Sequence, residues 1–188
     1  RTESLILTDG SRRVTYPDGT MANPVAGPDP RFGMQAPILS SQTSTTPGGL
    51  VSIATTSRTA NLADPTNPLS LTTQIDTVKI NGRTYTRTYN ASSHTFTDIT
   101  PTGRQSVATI DAKGRPVQTA VAGIAPVQLT YDGRGHLASQ TAAAGIYTLA
   151  YDSQGHVSLL TDPLTRSVGF TRDVVGRPTV LTQPDGEQ

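Results

Sequence analysis

Leu129-Thr-Tyr-Asp132-Gly-Arg-Gly135-His-Leu137 and Leu149-Ala-Tyr-Asp152-Ser-Gln-Gly155-His-Val157 are two copies of one pattern, and their reading decides the fold. Outward from them, Asp111-Ala-Lys-Gly114 and Asp173-Val-Val-Gly176 complete a series of four Asp-x-x-Gly segments at steps of 21, 20 and 21 residues. A fixed period marks a stacked structural unit, not a single active site. Each unit has room for two strands of about 5–6 residues and two turns, and too little for a helical repeat with its loops.

The turn has a chemical logic. Asp at the first position can accept hydrogen bonds from backbone N–H groups one and two residues on, and Gly at the fourth can take positive φ where the next strand starts, the geometry of a hairpin loop ending in a bulge. Asp111, Gly114, Asp132, Gly135, Asp152, Gly155, Asp173 and Gly176 are accordingly assigned structural turn roles. Around the turns the period is two: Val127, Leu129 and Tyr131 alternate with Gln128 and Thr130, and Tyr147, Leu149 and Tyr151 with Thr148 and Ala150. This predicts strands with one apolar face. Tyr131, Tyr147, Tyr151 and Phe170 are expected to form a repeating aromatic packing layer.

These residues resemble the tyrosine-aspartate (YD) repeats of the Rhs, teneurin and insecticidal-toxin-complex proteins. The stretch Thr161-Asp162-Pro163-Leu164-Thr165-Arg166, leading through Phe170 to Arg172-Asp173 and Gly176-Arg177-Pro178, is similar to the Thr-Asp-Pro-x-Gly-Arg link and following repeat of bacterial Rhs proteins. An earlier copy runs from Thr97-Asp98 through Pro101-Thr-Gly103-Arg104 to Ile110-Asp111 and Gly114-Arg115-Pro116. Three departures stand out: Thr165 where the family usually has Gly, and Arg172 and Ile110 where it has Tyr. Degenerate copies suit a structural repeat, in which another long or apolar side chain fills the same layer, better than a catalytic Tyr-Asp pair. The resemblance implies an all-β fold of consecutive antiparallel hairpins, part of a sheet that winds into a hollow shell. In bacterial toxin members that shell encloses a C-terminal toxic domain until delivery. The family's self-cleaving aspartyl site and variable toxin domain match no residue here.

Composition agrees with a β-built, polar-surfaced chain. Of 188 residues 34% are hydrophobic and 15% charged, the formal net charge is +1, and Thr is the commonest side chain. So low an apolar fraction implies thin layers stabilised by stacked neighbours. The near-neutral balance, with Arg scattered among turns, leaves no electrostatic footprint for nucleic acid. No apolar run approaches the length of a membrane span. With no Cys there is no disulfide scaffold, and either redox compartment is compatible. The chain begins at Arg1 and shows no signal peptide, the pattern expected of a piece of a longer protein.

The first 72 residues read as a Pro/Gly/Thr-rich β segment, followed by degenerate and full repeat hairpins over 73–188. A short strand is expected from Ser4 to Thr8, before the turn Tyr16-Pro17-Asp18-Gly19. Between 21 and 49, Pro and Gly are dense enough to argue against a long helix or a central strand, so this stretch is expected as a surface excursion. Alternation returns from Leu50 to Leu62, and Asp64-Pro65-Thr66-Asn67-Pro68 makes a corner. Asn81-Gly82, between candidate strands Thr73–Ile80 and Thr84–Asn90, is the strongest short hairpin signal.

His136 and His156 share one position after the turn Gly, but zinc asks for three or four ligands, so no metal is expected. Four carboxylates at equal steps form a ladder of turn caps and not the close pair a glycosidase uses. Neither a Gly-x-Ser-x-Gly elbow nor a phosphate-binding glycine loop ending in Lys-Ser or Lys-Thr occurs, so no enzyme activity and no cofactor is expected. The expected role is a wall segment of a secreted or cell-surface β-shell, possessing as partners its neighbouring repeats, an enclosed toxin domain and, by edge pairing, other copies. The alternative is a carbohydrate- or receptor-binding repeat module at the bacterial surface.

Overall fold

The computed structural model describes residues 1–8, 11–143 and 145–187. They contain no helix. Sixteen strands form one sheet in which each is hydrogen-bonded to the next in chain order. The chain clusters into two compact units, Arg1–Ser106 and Val107–Gln188. The first carries β1 (Glu3–Ile6), β2 (Arg12–Thr15), β3 (Met21–Asp29), β4 (Gly33–Thr45), β5 (Val51–Leu62), β6 (Leu71–Ile80), β7 (Arg83–Asn90) and β8 (Thr95–Ile99). β9 (Gln105–Ile110) spans the boundary. The second unit continues with β10 (Pro116–Val121), β11 (Ile124–Tyr131), β12 (Leu137–Ala142), β13 (Gly145–Tyr151), β14 (Val157–Thr161), β15 (Ser167–Arg172) and β16 (Pro178–Thr182).

In the second unit the repeat is legible in the register. Tyr131 lies opposite Leu137, Tyr151 opposite Val157 and Arg172 opposite Pro178, each just after a register shift. A bulge at the same place in each hairpin turns each strand pair alike. Directly paired residues share a face. One face therefore carries Leu129, Tyr131, Leu149, Tyr151, Leu160 and Phe170. The other carries hydroxyls that meet across strands, Thr130 with Ser139 at 2.6 Å and Thr161 with Ser167 at 2.9 Å. The packing is shallow throughout: no described side chain is less than 2% exposed, and those covered to 3% are Ala22 and Asp29.

The first unit departs from expectation at 21–49. Despite Pro24, Pro28 and Pro37, this stretch forms the β3–β4 hairpin, and β4 is a central strand, paired with both β3 and β5. The reason is that the pairing is local. β2 pairs with β3 only at Met21 and Ala22, and β5 with β4 only over Ser41–Thr45, among the described residues. All three prolines fall beyond those stretches, where a missing N–H removes no bond to an outer neighbour. The β6–β7 hairpin turns at Asn81 and Gly82, with φ 47° and 85°, as the Asn-Gly dipeptide predicts. Its tip is fastened to β5: Asn81 donates its N–H to the Ile53 carbonyl at 2.9 Å and accepts the Ile53 N–H on Oδ1 at 2.8 Å.

Candidate functional site

The Asp-x-x-Gly segments adopt one conformation. In each, the fourth residue donates its N–H to the carbonyl of the first, and the first donates its N–H to the carbonyl of the fifth: Gly135 to Asp132 at 3.0 Å and Asp132 to His136 at 2.9 Å, for example. The Asp side chain supplies the rest. Asp132 Oδ1 accepts the N–H of Arg134 and of His136 at 2.9 and 2.8 Å, and Asp152 Oδ1 those of Gln154 and His156, both at 2.9 Å. Asp111 and Asp173 accept the corresponding bonds from Lys113 and Arg115 and from Val175 and Arg177. Gly114, Gly135, Gly155 and Gly176 all sit at positive φ, between 77° and 97°.

The second carboxylate oxygen grips the side chain of the fifth residue. Asp111 Oδ2 receives both Nε and Nη2 of Arg115 at 2.9 and 2.7 Å, and Asp173 Oδ2 receives Nε of Arg177 at 2.7 Å. His136 Nδ1 stands 3.0 Å from Asp132 Oδ2, a hydrogen bond in the tautomer protonated at that nitrogen. These donors hold the carboxyls below their ordinary value. For Asp111, Asp152 and Asp173 the largest cause is the backbone N–H of the fifth residue. At Asp132 desolvation is the largest influence and acts upward, but the backbone and side-chain bonds from His136 and the other turn donors outweigh it. A carboxylate fixed by such donors is a cap, with no proton to offer near neutrality.

The fifth residue also joins one turn to the next. The Arg115 guanidinium lies 4.3 Å from the centroid of the Tyr131 ring, and His136 stacks on Tyr151 with ring centroids 4.5 Å apart. The Tyr hydroxyls close the ladder in the other direction: Tyr131 donates to the Pro116 carbonyl and Tyr151 to the Leu137 carbonyl, both at 2.8 Å. Arg172, which stands in the third Tyr position, sends Nη2 to the Val157 carbonyl at 3.2 Å. That substitution is imperfect, because Arg172 Nε and Nη1 are buried without hydrogen-bond partners. Phe170 lies on the same strand, 5.9 Å from the Arg172 guanidinium. Tyr147 does not pack as expected: it lies opposite Gln140 and is 43% exposed. A single sheet covers only what its own neighbours reach, and Tyr147 sits near the end of its hairpin away from the ladder.

Sequence reasoning missed a fifth Asp turn. Asp162 Oδ1 accepts the N–H of Leu164 and of Arg166, both at 2.9 Å, Oδ2 accepts Nε of Arg166 at 2.7 Å, and Thr165 takes the glycine position with φ 63°. The signal was present: Asp162-x-x-x-Arg166 has the spacing of Asp111-x-x-x-Arg115 and Asp173-x-x-x-Arg177. Asp162 joins β14 to β15, at the opposite strand ends from Asp152 and Asp173, so it falls inside the 21-residue step between them. Tyr16, Thr46, Thr100 and Gln183 open backbone turns of the same pattern without the Asp.

Among the described residues, no group of three or more His, Cys, Asp or Glu is placed to hold a metal ion. Nor, among those residues, is any helix long and apolar enough to cross a membrane.

No curated protein sequence matches the chain. Solved structures similar to it include TcdB2-TccC3-Cdc42, at 12% identity and a TM-score of 0.50, and TcdB2-TccC3 without its hypervariable C-terminal region, at 13% and 0.50. Each similarity covers 97% of this chain and 11% of the other, so the chain spans about a tenth of the length of those proteins and shares their fold over that span. The model of the Teneurin YD-shell family matches residues 2–188, almost the whole chain. With that match and the recurrent Tyr-Asp ladder together, the chain belongs to the Teneurin YD-shell family.

Proposed function

We propose that this chain is a wall segment of an Rhs-like β-shell that encloses and protects a C-terminal toxin domain before delivery. The observation that carries the reading is the turn ladder: Asp caps close each turn, and Arg115, His136 and the Tyr131 and Tyr151 hydroxyls join one hairpin to the next. Such a sheet grows by addition of like units, as a wall does, and each added strand covers the edge of the one before. The paired residues of the second unit also leave its hydroxyl face without an ionisable side chain, including Thr141, Thr148 and Ala150 beside those named above. In this reading residues 73–188 are repeat wall and 1–72 a divergent stretch of the same wall. The turn Asp and Gly residues are structural, and the protein is secreted or held at the cell surface and is not an enzyme. One of the similar solved structures is TcdB2-TccC3 without its hypervariable C-terminal region, and a variable C-terminal segment in such a protein supports the reading.

Limited proteolysis of the full-length parent protein tests this. Its C-terminal domain is expected to resist digestion while the shell is intact and to be digested when the shell is opened. Digestion of that domain at the rate seen when it is expressed alone would overturn the proposal. The exposed Tyr147 favours a second reading, a glycan- or receptor-binding module. That reading predicts saturable glycan binding by this chain alone, lost in Tyr147→Ala.

A further inference from the structure

The distal part of the β3–β4 hairpin, residues 23–40, is built differently from the rest of the first unit. Beyond Ala22 on one side and Ser41 on the other, no outer strand pairs with it among the described residues. A two-stranded ribbon has little stability of its own in water. The register shifts between Val25 and Ala26, opposite Leu39 and Ser41, which bends the ribbon where it leaves its neighbours. Gly27 permits the bend: a Cβ there would stand 2.8 Å from the Ser40 Cβ.

The tip is held by charge. Asp29, only 3% exposed, uses Oδ1 to accept the N–H groups of Arg31 and Phe32 at 2.8 and 3.2 Å, closing its own turn. Its Oδ2 accepts Nη1 of Arg58 from β5 at 3.0 Å. Arg58 in turn places Nε and Nη2 on the carboxylate of Asp76 from β6, the latter at 3.0 Å. Arg31 reaches β6 separately, donating Nη2 to Gln74 Oε1 at 3.1 Å, and Gln74 Nε2 donates to Asp76 Oδ2 at 3.0 Å. Register puts Arg58 directly opposite Asp76 on one sheet face, so the tip lies on that face. A two-stranded ribbon whose register shifts at Val25/Ala26 and again at Gly27/Asp29, fastened at its far end by the Arg58 guanidinium and by Arg31 through Gln74, has the parts of a strap: a hinge, a span and a clasp.

We infer that the 23–40 arm is a strap closed over β5 and β6 by Arg58, able to lift as a unit while the sheet beneath stays folded. Loss of Arg58 removes the closer charge partner of a buried carboxylate and leaves it Arg31 Nε at 3.8 Å, which is unfavourable, and the arm has no outer strand to keep it in place. The sheet below depends on its own ladder, from β5 through β7, and not on the arm.

The chain has no Trp, so Phe32→Trp at the tip is a reporter without background. In that background, Arg58→Gln and, separately, Asp29→Asn are compared with the parent by acrylamide quenching of Trp fluorescence and by hydrogen exchange resolved to peptides. The expected result is a rise in quenching of about threefold and faster exchange confined to residues 23–40, with β5–β7 protection unchanged. Unchanged quenching and exchange in both variants would show that the clasp does not hold the tip. Loss of protection across β5–β7 in both would show that the arm is a fixed part of the sheet and would overturn the strap.

Discussion

Arg172 Nη2 donates to the Val157 carbonyl at 3.2 Å, the bond that Tyr131 and Tyr151 make to Pro116 and Leu137 through their hydroxyls at 2.8 Å. A guanidinium thus fills a phenol's place and keeps its hydrogen bond to the preceding hairpin. It keeps it at a cost, since two of its other nitrogens are buried without partners.

Arg172→Tyr should therefore stabilise the chain, by roughly 1 kcal/mol, because it removes buried unpaired donors while retaining the bond to Val157. Tyr151→Phe should do the reverse by a similar amount, leaving the Leu137 carbonyl without its donor. Denaturant midpoints of the two variants check both signs.

The turn position carries a second pair of expectations. Gly135 has φ 97° and an added Cβ would meet Arg115 Nη1 at 3.2 Å, so Gly135→Val should cost about 1–3 kcal/mol. Gly133 lies outside the positive-φ set and a Cβ there meets nothing within 4 Å, so Gly133→Ala should be nearly neutral. Thr165 sits at φ 63°, and Thr165→Gly should stabilise by about 0.5–1 kcal/mol by relieving left-handed backbone strain. Equal unfolding midpoints for the Gly133 and Gly135 variants would contradict this account of the turn.

Acid should loosen the ladder from its caps. Asp111, Asp132, Asp152, Asp162 and Asp173 all have carboxyls held below the ordinary value of 3.8. A depressed folded-state value means that the unfolded chain takes up protons first. The stabilisation is thus complete above 3.8 and is lost as pH falls through the lower folded values. Thermal midpoints measured across a pH series should hold steady above about pH 5 and fall below about pH 4. Asp111→Asn should flatten that fall, and a wild-type profile that is flat through the acid range would refute the cap electrostatics.

The outer edge of β1 gives a fourth expectation. Leu5 and Ile6 are 56% and 75% exposed on a strand whose described pairing is to β2 alone. Exposed, unblocked edges invite pairing with another chain. Light scattering of the isolated chain should show association that grows with concentration and is reduced in Ile6→Lys.

Much of this architecture was legible because its causes are local. An Asp that caps its own turn, a Gly that supplies positive φ, and the two-residue alternation through Leu129 and Tyr131 all act within a few residues, and the period then counts the hairpins. Asn81-Gly82 worked for the same reason. Asp162 was hidden by Thr165, because an Asp-x-x-Gly pattern does not include a turn whose backbone tolerates a strained Thr at the glycine position.

By itself, then, the sequence determined the all-β class, the order of hairpins and the family, since turn chemistry and side-chain period are short-range properties repeated many times. Tertiary structure alone decided what depends on distant partners. It put Arg172 into a tyrosine's role through Val157, left Tyr147 exposed, and made a strand of the Pro-rich stretch by leaving its outer edges unpaired. It also brought Asp29, Arg58 and Asp76 together from three strands. A side chain's partner across the sheet is set by register and bend, and neither is written in the residues that flank it.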